Sequence, residues 1–141
     1  MVGQLVQVSS KFVWTIENFS ELTDKVVQYS DVFTADGYEW KLAIHPLGVG
    51  KVYDYLSIFL CPVNDSTSDL YVKFSLSITS QSNGSNRVIR ETDTNSLPRK
   101  CGLDWGWIKF LHLSELYDPD EGYIVNDTCI IEVEVSCGME D

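Results

Sequence analysis

Along most of the chain, hydrophobic and polar positions alternate with a period of two, the spacing of strands that bury one face. Phe12, Trp14 and Ile16 share a side in 11–17. Across 38–45, Tyr38, Trp40, Leu42 and Ile44 stand opposite Glu39, Lys41 and His45. Across 55–60, Leu56, Ile58 and Leu60 oppose Tyr55, Ser57 and Phe59. The longest run, 70–80, sets Leu70, Val72, Phe74, Leu76 and Ile78 against Tyr71, Lys73, Ser75, Ser77 and Thr79. Near the end, Ile131, Val133 and Val135 alternate with Glu132 and Glu134, and Cys129 and Cys137 share the apolar parity. Weaker versions occupy 28–34, 87–92 and 103–111. Asp36-Gly37, Pro46-Leu47-Gly48, Asn83-Gly84 and Asp120–Gly122 supply turn chemistry between the runs. No helical stripe is sustained; at most a turn or two is expected at 18–22 and 114–117, each behind an N-cap. About eight short strands at this spacing predict an all-β fold, an antiparallel sandwich or barrel.

Composition narrows the functions open to such a fold. A chain of 141 residues, 44% hydrophobic and 22% charged, suits one folded domain with a real core. Ten basic residues are scattered among twenty-one acidic ones, for a net charge of −11. Nucleic acid and anionic membranes are disfavoured as ligands, because neutralising phosphates needs clustered Lys and Arg. No segment reaches the roughly 20 apolar residues of a membrane-spanning helix, and 1–10 lacks the marks of a signal peptide. The four cysteines form no CxxC pair and read as reduced thiols, so the expected setting is cytoplasmic or nuclear. The four glycosylation sequons are then read as chance.

Candidate chemistry concentrates in Gly102–Phe110. Parity there puts Trp105 and Trp107 on one face and Ile108 and Phe110 on the other, and only one face can meet the core. With Ile108 and Phe110 taken inward, two tryptophans face out, where they invite a docking partner or pack beneath a loop. Gly106 between them leaves backbone accessible, and Asp104 stands beside the pair as an acceptor. Cys101 and His112 are the available nucleophile and base, but nothing in their context joins them. Asp118–Gly122 offers carboxylates without the alternation of a calcium loop and reads as a solvated turn. No motif for a cofactor, metal or phosphate is present, so no catalytic residues, cofactor or metal are assigned.

Several segments, taken in order, resemble the MATH domain, the TRAF-like β-sandwich. They are Lys11-Phe-Val-Trp-Thr-Ile-Glu-Asn-Phe-Ser20, Tyr38-Glu-Trp-Lys-Leu42 with Pro46-Leu-Gly48, and Tyr55-Leu-Ser-Ile-Phe-Leu60. Asp104-Trp-Gly-Trp-Ile-Lys-Phe110 and Gly122-Tyr-Ile-Val-Asn-Asp-Thr128 complete the series. The last of these is similar to plant MATH proteins, including the MATH segments of ubiquitin-specific proteases. The likeness spans 11–137, leaving 1–10 as an extension and 138–141 as a tail.

What the resemblance implies is a non-catalytic module that holds short extended segments of partner proteins, often containing Ser or Thr, in a shallow groove. Recruitment in ubiquitin-linked or signalling scaffolds is the expected setting. By position, Trp105, Gly106, Trp107 and Phe59 match the groove, and Asp104 matches a polar contact to the peptide. Phe74 matches another groove aromatic, although its parity groups it with Leu76 and Ile78 in the core. Leu97 stands where adaptor-type relatives carry an aromatic, and Leu103 and Ile108 where they carry lysines, which implies a different peptide preference. The other reading is a sandwich that stacks carbohydrate or another small ligand on its tryptophans. A monomer is expected, since no heptad run is present to drive trimer formation.

Overall fold

In a computed structural model, residues 9–138 are described apart from 25, 36, 65–69, 85, 93–94 and 98–103. Eleven strands in the described residues form two antiparallel sheets. One sheet runs in the order β1 (Ser9–Ile16), β11 (Thr128–Gly138), β6 (Leu70–Thr79) and β7 (Arg87–Glu91). β8 (Asn95–Leu97) also pairs with β6, and β10 (Ile124–Val125) with β11. The other sheet runs β2 (Gln28–Tyr29), β4 (Tyr38–His45), β5 (Tyr55–Pro62) and β9 (Trp105–His112), with β3 (Phe33–Ala35) also on β4. An all-β sandwich is what the alternation predicts.

The same alternation decides which side of each strand is buried. Trp40, Leu42 and Ile44 from β4 and Leu56, Ile58 and Leu60 from β5 face Phe74, Leu76, Ile78, Ile131, Val133 and Val135 across the core. Each large side chain removed from water here contributes roughly 1.5–3 kcal/mol. The 28–34 run divides in two because Ser30 pairs twice with Leu42. Its N–H donates to Leu42 O at 2.9 Å, and its hydroxyl accepts the Leu42 N–H at 2.9 Å. At one lateral margin Phe12 on β1 stacks on Phe33 of β3, with centroids 4.6 Å apart.

β10 and β11 are joined by Asn126 and Asp127, both in the left-handed region at φ 52° and 57°. Asn and Asp tolerate that conformation, and two such residues make the turn whose twist suits a hairpin. Asp127 also fixes the 3-10 turn Phe19–Asp24. Its carboxylate accepts the Ser20 N–H at 2.9 Å and the Ser20 hydroxyl at 2.7 Å, while its carbonyl accepts the Phe19 N–H at 2.9 Å. Helix α1 (Leu113–Leu116) is capped by the side chain of His112, two residues before Ser114, where the sequence places the start of the turn.

Candidate functional site

β9 is hydrogen-bonded to β5 alone among the described strands, so its other edge presents backbone donors and acceptors with no strand to meet them. The register pairs Trp105 with Leu60, Gly106 with Phe59 and Trp107 with Ile58, then resumes at Leu111 opposite Leu56. Between these points Ser57 alone faces Ile108, Lys109 and Phe110, so β9 carries two extra residues. The Ser57 hydroxyl donates to Ile108 O at 2.6 Å, satisfying a carbonyl that the bulge withdraws from the ladder.

This register corrects the expected facing of the tryptophans. Residues directly opposite in an antiparallel pair share a face, and Leu60 and Ile58 are wholly buried core residues. Trp105 and Trp107 therefore turn toward the core, where both are half-buried against it. The Trp107 ring lies 5.5 Å from that of Phe74 and 6.4 Å from that of Phe110. Ile108, expected inside, is 43% exposed. The bulge re-aims Phe110 so that it and Leu111 are both buried. The indoles are neither on the outer face nor sealed between the sheets; they form the rim of the inter-sheet gap beside β9.

At Gly106 the backbone of β5 lies close against β9. A Cβ there would run into the carbonyl oxygen of Ile58 and come within 2.7 Å of the Phe59 Cα. Only glycine fits, and its backbone is left exposed. Phe59 has the outward parity expected of it, half-buried on the far face of the sheet and edge-on to His45 at 5.6 Å. Phe74 is 2% exposed and is core, as its parity predicts, forming the floor beneath Trp107. Asp104 is exposed at the start of the edge. Leu97 sits on β8 opposite Leu70 in the other sheet. Its side chain, and all of Leu103, lie outside the described residues. The structure thus gathers Trp105, Trp107 and Phe74 at the rim and puts Phe59 on the opposite face, with Gly106 between.

Arg90 completes the rim without having been singled out in the sequence. It pairs with Leu76, so it points inward from β7, and its guanidinium donates to Phe110 O at 3.2 Å. The signal available was a charged residue at the inward parity of Val88 on a short strand, a known way of managing a sheet edge.

For catalysis, Cys101 lies outside the described residues, so its pairing with His112 has no geometry to support it. His112 Nδ1 accepts the Ser114 N–H at 3.1 Å and contacts the Ser114 hydroxyl at 2.8 Å, while Nε2 is 3.5 Å from Asp54. The order hydroxyl, imidazole, carboxylate is that of a nucleophilic relay. However, the nitrogen that would take the proton is already engaged by the helix cap. In the Asp118–Gly122 turn, the Asp118 carboxylate accepts the Asp120 N–H at 2.9 Å, a local turn bond. Cys61 and Cys129 are buried thiols outside any disulfide, and burial pushes the Cys129 thiol up to about 12.

Comparison with known proteins agrees with this architecture. A family model described as MATH domain matches residues 11–135. The chain is 42% identical over 131 residues to ubiquitin C-terminal hydrolase 12 of Arabidopsis thaliana, covering 89% of this chain and 11% of that protein. It is 31% identical over 134 residues to a MATH domain and coiled-coil domain-containing protein of the same plant, covering 92% of this chain and 39% of the relative. Among solved structures, TRAF5 of Notothenia coriiceps superposes with a TM-score of 0.71 at 21% identity, covering 93% of this chain and 74% of that one. The chain therefore spans a small part of these curated relatives, a tenth of the hydrolase and two-fifths of the coiled-coil protein. With the sandwich, the edge strand and a family match over nearly its whole length, the chain belongs to the MATH domain family, a fold of protein-interaction modules.

Proposed function

We infer that β9 receives an extended peptide from a partner protein by adding it as a further strand. The β9 edge that no described strand pairs with, beside two half-buried tryptophans, is the observation that carries this reading. Main-chain hydrogen bonds to the edge supply affinity, and alternate side chains of the guest supply specificity. One set of guest side chains enters the gap beside Trp105, Trp107 and Phe74. The other set lies over Gly106 toward Phe59. Asp104 accepts a hydroxyl or amide proton from the guest, which favours Ser- or Thr-containing segments.

Two relatives are named as ubiquitin hydrolases, and this chain covers 11% of each. By that likeness the domain recruits substrates or partners in ubiquitin-linked scaffolds of the cytoplasm or nucleus, as a monomer, with any chemistry performed elsewhere. A carbohydrate reading needs an indole face turned outward, and the inward lean of Trp105 and Trp107 gives it less to stand on.

A peptide array selects the guest, and titration of the best peptide tests the site. Asp104→Ala weakens that peptide about tenfold while Tm moves by no more than about 2 °C, since an exposed side chain contributes little to folding. Unchanged affinity in Asp104→Ala, or tryptophan quenching by glycans and by no peptide, contradicts the reading.

A further inference from the structure

At the margin where β9 lies, the two sheets do not reach equally far. Trp107 of β9 stands over Phe74 of β6, with ring centroids 5.5 Å apart, so β9 faces β6 across the gap. The sheet that holds β6 continues one strand further, to β7, whereas among the described strands the other sheet ends at β9. Register fixes the inward residues of β7. Val88 pairs with Ile78 and Arg90 with Leu76, both wholly buried in the core. Residues directly opposite share a face, so Val88 and Arg90 point toward the other sheet. Yet Val88 is only half-buried and Arg90 is exposed, because no described strand lies across from them.

A strand added to β9 fills that place, and its inward side chains descend onto β7. Arg90 is held ready for one of them. Its guanidinium donates to Phe110 O at 3.2 Å, which ties it to the bulged stretch of β9 and leaves most of its five N–H donors unused. Arg90 forms no ion pair with any described carboxylate. Glu91, next in sequence, pairs with Ser75 and points out of the opposite face. A covering strand takes the guanidinium out of water, which makes an unmatched charge costly and a matched one stronger.

We propose, on the reading that a guest strand adds to β9, that Arg90 selects guests carrying an aspartate or glutamate on the inward side chain nearest Phe110. A carboxylate takes two parallel N–H bonds from the guanidinium fork, which a side-chain amide, with its single acceptor oxygen, cannot reproduce. Asp104 stands at the other end of the same edge. The guest therefore carries its hydroxyl residue and its acid roughly four to six residues apart. The net charge of −11 repels acidic segments in general. The gain is thus confined to the one position that meets Arg90, and this sharpens discrimination between guests.

The probe is the array-selected peptide, N-acetylated and C-amidated so that side chains are its only carboxylates. Each position is replaced in turn by Glu, Gln and Lys, and the set is titrated against the wild-type chain, Arg90→Gln and Arg90→Glu. At one position of inward parity, Glu binds the wild-type chain about fivefold or more tighter than Gln, and Lys binds more weakly than either. Arg90→Gln brings Glu and Gln at that position within about twofold of each other, and Arg90→Glu turns the preference toward Lys. A purely structural role for the bond to Phe110 weakens all peptides alike and moves no preference. Arg90→Lys keeps the charge but loses the fork; it retains part of the preference for Glu, and makes the test if Arg90→Gln fails to fold. Amide exchange along β9 separates the two ways of failing. A peptide that protects β9 but shows no preference for Glu at any position, or a preference indifferent to Arg90, overturns the role of Arg90 and leaves strand addition standing. A peptide that binds without protecting β9 overturns both.

Discussion

Trp107 rests on Phe74 and Phe110 and closes the rim of the core. Trp107→Ala therefore costs about 2–4 kcal/mol, somewhat below a fully buried tryptophan, and urea unfolding reads the loss. Asp104 makes no such contact, and the contrast separates a residue that supports the groove from one that only meets the guest. Gly106→Ala places a methyl group against the backbone of Ile58 and Phe59. Its expected effect is a marked fall in Tm together with displaced amide signals along β5 and β9. Asp127 combines a left-handed backbone with three bonds to Phe19 and Ser20. Asp127→Ala loses the side-chain bonds and strains the turn, for about 1–3 kcal/mol in the same assay.

At the scale of elements, β9 matters through its main chain as much as its side chains. A guest peptide methylated at alternate backbone nitrogens on the side facing β9 cannot donate to that edge. It is expected to bind at least about tenfold more weakly than the parent peptide, while methylation on the other side has little effect. Much of this architecture is legible in the sequence. The alternation of Tyr38 to His45 and of Leu70 to Thr79 places β4 and β6 and their buried faces. β9 is where that reading fails. Two extra residues opposite Ser57 leave the parity of Trp105, Trp107 and Leu111 intact while re-aiming Phe110. No period-two count can reveal such a change, because the partner strand sets it. β8 escapes for another reason: Asn95–Leu97 is too short to show any period. The facing of Phe59 and Phe74 is legible from parity, whereas that of Trp105 and Trp107 is not.

For the whole molecule, burial links the core to pH. Cys129 ionises near its ordinary value of 9 when unfolded but only at about 12 when folded. Between those values the unfolded chain releases a proton that the folded chain keeps, so stability falls as pH rises. Tyr117 and Tyr123, also raised by burial, act in the same direction above their ordinary 10. Stability from these groups is fully present below pH 9 and declines from there toward pH 12, a trend that thermal melts across the range measure. Cys129→Ala removes part of the slope, and a melting temperature flat from pH 9 upward contradicts the assignment.

The claim on which the functional account turns is that a guest becomes a strand beside β9. Hydrogen exchange of the chain's amides, with and without the peptide selected by array, tests it most directly. The account predicts new protection at alternate amides between Trp105 and Lys109, those facing away from β5. Saturating peptide with no change in β9 exchange contradicts it.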